Sequence, residues 1–301
     1  MGLYDKYARL AGERLQFSDN GLTPFGTCID EVYSATEGRI GNKKVILAGT
    51  NNYLGLTFNH DAIAEGQAAL AAQGTGTTGS RMANGSYAPH LALEKEIAEF
   101  FNRPTAIVFS TGYTGGYLIV DEAHSFGVLG ATGRGLAEAV GVEDDVDIIV
   151  GTFSKSLASI GGFAVGSEAM EVLRYGSRPY IFTASPSPSC IATVRSSLRT
   201  IATQPELRQK LMDNANHLYD GLQKLGYELS SHISPVVPVI IGSKEEGLRI
   251  WRELISLGVY VNLILPPAAP AGITLLRCSV NAAHSREQID AIIQAFATLK
   301  Q

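Results

Sequence analysis

Ile148-Ile149-Val150-Gly151-Thr152-Phe153-Ser154-Lys155-Ser156 is a β-branched run that breaks into glycine, two hydroxyl side chains and a lysine. A short apolar run of this kind, stopped by glycine, predicts a buried strand. The same design occurs twice upstream. Residues 106–109 open into Ser110-Thr111-Gly112-Tyr113-Thr114, and residues 117–120 open into Asp121-Glu122-Ala123-His124-Ser125-Phe126-Gly127. Three such runs (106–109, 117–120 and 147–150) alternate with helical stretches. The pattern predicts an α/β fold with a mostly parallel sheet and its chemistry at the strands' carboxyl ends.

Outward from this centre, residues 1–44 read as an arm, with an amphipathic helix over 3–15, a loop at Pro24 and room for a hairpin. A strand is expected at 45–47. A helix over 61–73 has Asp61 near its start and Gly74 just past its end. A Gly/Ser/Thr/Asn loop (74–87) and a helix over 89–101 follow. Near residue 188 the texture changes to long helices (189–203, 206–225, 245–257 and 285–299) with two strands (236–241 and 275–280). The expected organisation is an arm (1–44), a large domain (45–187) and a smaller carboxy-terminal α/β domain (188–301).

Composition narrows the function classes. The 301 residues are 45% apolar and 18% charged, as in an ordinary globular protein. A formal net charge of -5 offers no basic footprint for nucleic acid. No apolar run reaches the ~20 residues that span a bilayer, so no transmembrane segment is expected. The start, Met1-Gly2-Leu3-Tyr4-Asp5-Lys6, lacks a signal-peptide core, and a cytoplasmic location is the expectation. Cys28, Cys190 and Cys278 read as reduced buried thiols. The six histidines show no metal-ligand spacing. Gly74-Thr75-Gly76-Thr77-Thr78-Gly79 matches G-x-G-x-x-G literally, but it follows a helix and runs into more loop, the wrong context for a dinucleotide fingerprint.

As a set, the strand ends suit pyridoxal phosphate. Such a site needs an amine for the cofactor's aldehyde, which Lys155 offers. It needs a carboxylate that keeps the pyridine nitrogen protonated, which Asp121 offers. Hydroxyls and backbone N–H groups around the phosphate come from Gly112, Tyr113, Thr152 and Ser154. His124 is the candidate donor near the ring hydroxyl. A carboxylate ending a buried strand is costly unless paired, and a pyridinium would pair with it. Singly, each residue has a plainer reading: Lys155 a solvated charge, Asp121 a helix cap, His124 a structural histidine, Thr152 and Ser154 turn residues. The ordered pair, strand–Asp–x–x–His then strand–Gly–Thr–x–Ser–Lys, carries the cofactor reading.

Several further motifs accompany these two: Asn51-Asn52-Tyr53-Leu54-Gly55, Gly76-Thr77-Thr78-Gly79-Ser80-Arg81, Arg178-Pro179-Tyr180-Ile181-Phe182-Thr183-Ala184-Ser185, and Leu276-Arg277-Cys278-Ser279 followed by Ala282-Ala283-His284. Together they resemble the α-oxoamine synthases, a family of fold-type-I pyridoxal-phosphate enzymes, over nearly the whole chain. The resemblance implies an aspartate-aminotransferase-like large domain and a homodimer. It implies that Lys155 holds the cofactor and serves as the base, that Asp121 faces the pyridine nitrogen and that His124 faces the ring hydroxyl. Thr152 and Ser154 would hold the phosphate, joined by Thr183 of a partner subunit. Asn52 and Arg277 would hold the amino-acid carboxylate, which an arginine fork suits; without the family, Arg277 equally reads as a structural ion-pair partner. Within the family, residues 49–55 and 178–185 are most similar to the bacterial branch that condenses L-serine with palmitoyl-CoA to 3-ketodihydrosphingosine, the first step of sphingolipid synthesis. Glycine or alanine in place of serine is the alternative substrate.

One departure stands out. In the family several strands and helices separate the glycine-tyrosine turn from the Val-Asp-Glu-Ala-His strand, whereas here only Gly115-Gly116 lies between Thr114 and Tyr117. That is an internal deletion of roughly two to three βαβ units at about 30 residues each. The diglycine has the look of a spliced or designed join. The absent part should hold the histidine that stacks on the cofactor ring, whose loss weakens binding by ~1 kcal/mol or more. A join this short is expected to permit only a hairpin-like reversal or one continuous extended segment. A smaller departure is Leu265, where some relatives carry an extra arginine, leaving Arg277 as the main carboxylate anchor. Two outcomes stay open: a compact synthase that binds its cofactor, or a family scaffold with little catalysis.

Overall fold

The computed structural model of the chain describes residues 23–24, 26–109, 118–230, 232–266, 268–269 and 272–300. The helix expected over 3–15 and the turn with Gly112 and Tyr113 lie outside the described residues. Three short strands come first: β1 (Glu31–Val32), β2 (Glu37–Ile40) and β3 (Lys43–Leu47). They pair antiparallel in sequence, the second turn passing through Gly41 at φ +57°. Helix α1 (His60–Gln73) starts where the Asn59 side chain accepts from Ala62 N at 2.9 Å and stops at Gly74, φ +80°. Asp61 lies in its first turn, where a carboxylate suits the helix dipole. Then come α2 (Ala88–Phe100), β4 (Thr105–Phe109), β5 (Ile119–Asp121), α3 (Leu136–Val140), β6 (Ile148–Thr152) and β7 (Gly162–Gly166). Two short helices, α4 (Leu173–Gly176) and α5 (Arg178–Phe182), precede the long α6 (Pro188–Thr203) and α7 (Glu206–Lys224). The remainder is β8 (Val236–Ile241), α8 (Lys244–Ser256), β9 (Val259–Tyr260), β10 (Asn262–Ile264), β11 (Thr274–Ser279) and α9 (Arg286–Thr298). Among the described residues no helix is long and apolar enough to cross a membrane.

The chain divides into two compact units. The first comprises Asn51–Met212 with Asn281–Ala283. Its sheet has the order β4-β7-β6-β5. β5 and β6 are parallel, and β7 runs antiparallel to both its neighbours, β4 and β6. Three strands therefore point one way and β7 alone opposes them. The sequence reading missed β7: Gly162-Phe163-Ala164-Val165-Gly166 is buried throughout, so it shows no alternation of apolar and polar residues. The expected join between the first two runs also needs correction. β4 and β5 are neither a hairpin nor one extended segment, because they occupy opposite edges of the sheet with two strands between them. Three inter-strand spacings are ~15 Å, and residues 110–118 at ~3.5 Å each reach roughly 30 Å.

Ile107, Phe109, Ile148, Ala164, Met170 and Tyr180 pack on this sheet. A second apolar layer is aromatic. Phe126 stacks on Phe101 (centroids 5.5 Å) and meets Phe163 edge-on (5.3 Å), and Phe153 stacks on Phe163 (6.0 Å). Helix α6 packs against α1 and α2 in the same unit, although the texture of the sequence changes at its start. The crossing with α1 is close at Gly66, where a Cβ would stand 2.8 Å from Thr193 Oγ1.

The second unit holds the described residues up to Thr50, then Asp213–Val280, and those from His284 onward. The boundary at Met212 falls within α7. One sheet has the order β1-β2-β3-β9, with β9 parallel to β3; the other, β10-β11-β8, is antiparallel throughout. β8 alternates half-buried and buried residues, the period of a one-faced strand. Trp251 is buried in α8 and donates its indole N–H to Val261 O at 3.0 Å. Helix α9 opens on a reciprocal cap: Gln288 N donates to Ser285 Oγ (3.2 Å) and Ser285 N to Gln288 Oε1 (3.0 Å).

Candidate active site

The parallel pairing of β5 with β6 sets Asp121 opposite Val150. Both strands therefore deliver their carboxyl ends to one edge of the sheet, the edge where α/β folds bind ligands. From β5 come Asp121 and His124; from β6 come Thr152, Ser154 and Lys155. Asp121 Oδ1 accepts from Ala123 N at 2.8 Å. Sequence reasoning expected Asp121 to be the buried carboxylate at the strand's end, and the structure corrects this. Asp121 is exposed, and its neighbour Glu122 has no exposed surface. Successive side chains of a strand leave on opposite faces, so only one of the two can enter the core.

Glu122 is satisfied there without a cation. Its oxygens accept from Leu136 N and Ala137 N, both at 2.7 Å, and from Ser125 Oγ. A carboxylate on the first N–H groups of α3 is a helix cap supplied from a distant strand. The approach requires Gly135, which sits at φ +120° and whose absent Cβ would fall on the Glu122 carboxylate.

After β6 the chain folds tightly around the lysine. The Thr152 and Ser154 hydroxyls lie 2.9 Å apart, and Ser154 N donates to Thr152 Oγ1 at 3.2 Å. Phe153 N donates to Gly161 O (2.9 Å), Ser159 N to Phe153 O (2.8 Å) and Ser156 Oγ to Phe126 O (2.7 Å). These bonds tie both sides of the turn, so the half-buried Lys155 projects from a fixed base. The buried rings of Phe153 and Phe163 anchor it from below.

A third segment arrives from far upstream. Asn52 Nδ2 donates to Thr57 Oγ1 at 2.7 Å, while Asn52 Oδ1 is buried without a hydrogen-bond partner among the described residues. The next residue, Tyr53, places its hydroxyl 2.8 Å from His124 Nδ1, with ring centroids 6.1 Å apart. Asn52 thereby belongs to the same neighbourhood as His124. Tyr53 and Glu122 are the residues sequence reasoning missed: both stand inside quoted motifs, but their contacts cross the fold.

The remaining candidates lie elsewhere. Thr183 follows α5 and is half-buried, beside the bridge that pairs Ser80 with Ala184. Ser185 N donates to Gly79 O at 3.0 Å, so the motifs 76–81 and 178–185 dock on one another. Arg81 and Arg174 share Glu94 (2.8 and 3.1 Å), and both stack over Tyr180 at 5.6 Å. Burial opposes the charge on Arg174, yet hydrogen bonds to Glu171 and Glu94 raise its pKa above the usual arginine value. Arg277 lies in the second unit, half-buried on β11 opposite Pro238 and Asn262. Of the cysteines read as buried thiols only Cys278 is, and burial pushes its thiol up to about 12; Cys28 is exposed and Cys190 half-buried.

Comparison with known proteins supplies the context. Residues 113–296 match the family model for aminotransferase class I and II. A serine palmitoyltransferase of Caulobacter vibrioides is 40% identical over 389 aligned positions, covering 99% of this chain and 96% of the relative. A serine palmitoyltransferase of Sphingomonas paucimobilis is 34% identical, with 98% and 92% covered. A solved serine palmitoyltransferase with pyridoxal phosphate superposes at a TM-score of 0.94 and 33% identity, over 99% of this chain and 98% of that one. The 389 aligned positions outnumber the 301 residues, so the Caulobacter relative has residues that face a gap here.

Proposed function

The chain belongs to the α-oxoamine synthase family of pyridoxal-phosphate-dependent acyltransferases, and from that membership we propose that it condenses L-serine with palmitoyl-CoA, releasing carbon dioxide and coenzyme A to give 3-ketodihydrosphingosine. The observation that carries the proposal is the 40% identity to a serine palmitoyltransferase across almost the full length of both chains.

The residues present fit the cofactor. The paired hydroxyls of Thr152 and Ser154 suit a phosphate, and Asp121 is an exposed carboxylate at a strand end. Pyridoxal phosphate, when bound, supplies the electron sink for a carbanion at the amino acid's α-carbon. The Lys155 amine would hold the cofactor's aldehyde carbon. With the substrate bound, the Lys155 amine would serve as the base that removes the α-proton and would return one to the product. Asp121 would keep the pyridine nitrogen protonated, and His124 would donate to the ring hydroxyl oxygen. Thr152 and Ser154 would hold the phosphate, joined by Thr183 of a second copy in a homodimer; for Gly112 and Tyr113 the same role rests on their motif, 110–113. Asn52 orients the serine carboxylate; for Arg277 the same role rests on its motif, 276–279.

The test is spectroscopic and then chemical. Wild-type protein mixed with pyridoxal phosphate gains a visible absorption band, and K155A does not. Thiol release from palmitoyl-CoA is then followed with L-serine, glycine and L-alanine. No band at saturating cofactor refutes a working site and leaves a catalytically impaired deletion scaffold. Faster release with glycine or alanine refutes serine as the substrate.

A further inference from the structure

Tyr53 carries no role in the function just described, yet its hydroxyl makes the hydrogen bond to His124 that bears on the site. Its side chain is buried to 1% exposure, its N–H donates to Asn51 O at 2.9 Å and its carbonyl accepts from Ala282 N at 2.8 Å. A ring held this way has one place for its hydroxyl: 2.8 Å from His124 Nδ1. Another acceptor, Asn51 Oδ1, is farther at 3.4 Å. A phenol has one proton to give, and the imidazole nitrogen is both the nearer and the more basic acceptor.

The direction of this bond decides what His124 can do. If Tyr53 donates to Nδ1, the proton of the neutral ring sits on Nε2, which becomes a donor. If Nδ1–H donates to the phenol oxygen, Nε2 is bare and can only accept. We propose that Tyr53 is a positioning residue that holds His124 in its Nε2–H tautomer, the form able to donate to the cofactor's ring hydroxyl oxygen. This rests on the role given to His124 in the proposed function.

The experiment uses the full chain labelled with 15N-histidine, without cofactor, at a pH where His124 is neutral, with H124Q assigning the signal. Wild-type His124 should show a protonated Nε2 and an unprotonated Nδ1. In Y53F, which keeps the ring and loses the hydroxyl, that preference should collapse and the two nitrogen signals converge. A wild-type proton on Nδ1 overturns the proposal without any variant, and so does a Y53F spectrum identical to wild type. In the loaded protein, Y53F should bind pyridoxal phosphate about three- to tenfold more weakly, the worth of one neutral hydrogen bond, with a shifted visible band. Absence of the band in wild type would sink the functional reading instead, while the tautomer measurement would still stand.

Discussion

Replacing Glu122 with glutamine tests whether a buried carboxylate, placed by the alternation of β5, holds the start of α3. Glu122 has no exposed surface and receives two backbone N–H bonds at 2.7 Å as well as the Ser125 hydroxyl. Glutamine preserves the size but has one acceptor oxygen, and its NH2 is forced towards a backbone N–H. One charge-assisted bond is lost, worth about 1.5–3 kcal/mol, and the bond that remains falls to neutral strength. A buried donor facing a donor adds a further cost of about 1 kcal/mol or more. The expected loss is about 3 kcal/mol, with a similar direction for G135A, which attacks the same contact from the helix side. Urea denaturation reads it as a lower midpoint at unchanged slope. Hydrogen exchange localises it: the Leu136 and Ala137 amides should lose protection before those of β6. A midpoint change under about 1 kcal/mol, or exchange that accelerates equally across the sheet, would refute the reasoning.

Two further predictions concern the scaffold. E94Q removes the charge that the buried Arg81 shares with the half-buried Arg174, and leaving the Arg81 cation uncompensated should cost about 3–5 kcal/mol, read from the urea midpoint. His90 is buried, accepting from Tyr87 N at 3.2 Å and donating to Pro186 O at 3.0 Å, and burial holds its pKa below the ordinary 6.5. The unfolded chain therefore takes up a proton first as pH falls. His90's contribution is fully present above about pH 6.5 and declines below it, and H90Q should flatten that decline in midpoints measured from about pH 8 to 5.

The contrast between Asp121 and Glu122 marks the limit of what the sequence made legible. The apolar runs and their polar stops located β4 and β6 to within about two residues, because a buried strand leaves a strong local signal. That Asp121 and Lys155 stand at neighbouring strand ends could be read because the motifs that follow β5 and β6 are local too. Which of two adjacent carboxylates is buried depends on strand register, which no local pattern records. The Tyr53–His124 bond joins positions far apart in the chain, and β7 hides as five apolar or glycine residues without alternation. The placement of β4 and β5 at opposite edges follows from β7 and could not be seen before it was.

The antiparallel insertion of β7 has a consequence for the order in which the sheet can assemble. Pairing Thr152 with Gly162 closes the shortest loop in the sheet, whereas Asp121 with Val150 and Phe109 with Gly162 close far longer ones. Entropy favours short closures, so the β6–β7 hairpin is the natural nucleus onto which the outer strands condense. The turn of that hairpin is the loop bearing Lys155. Selection on the lysine proposed to hold the cofactor and selection on rapid folding would therefore bear on the same few residues. Conservative changes at Phe153 or Phe163 should slow folding more than they speed unfolding.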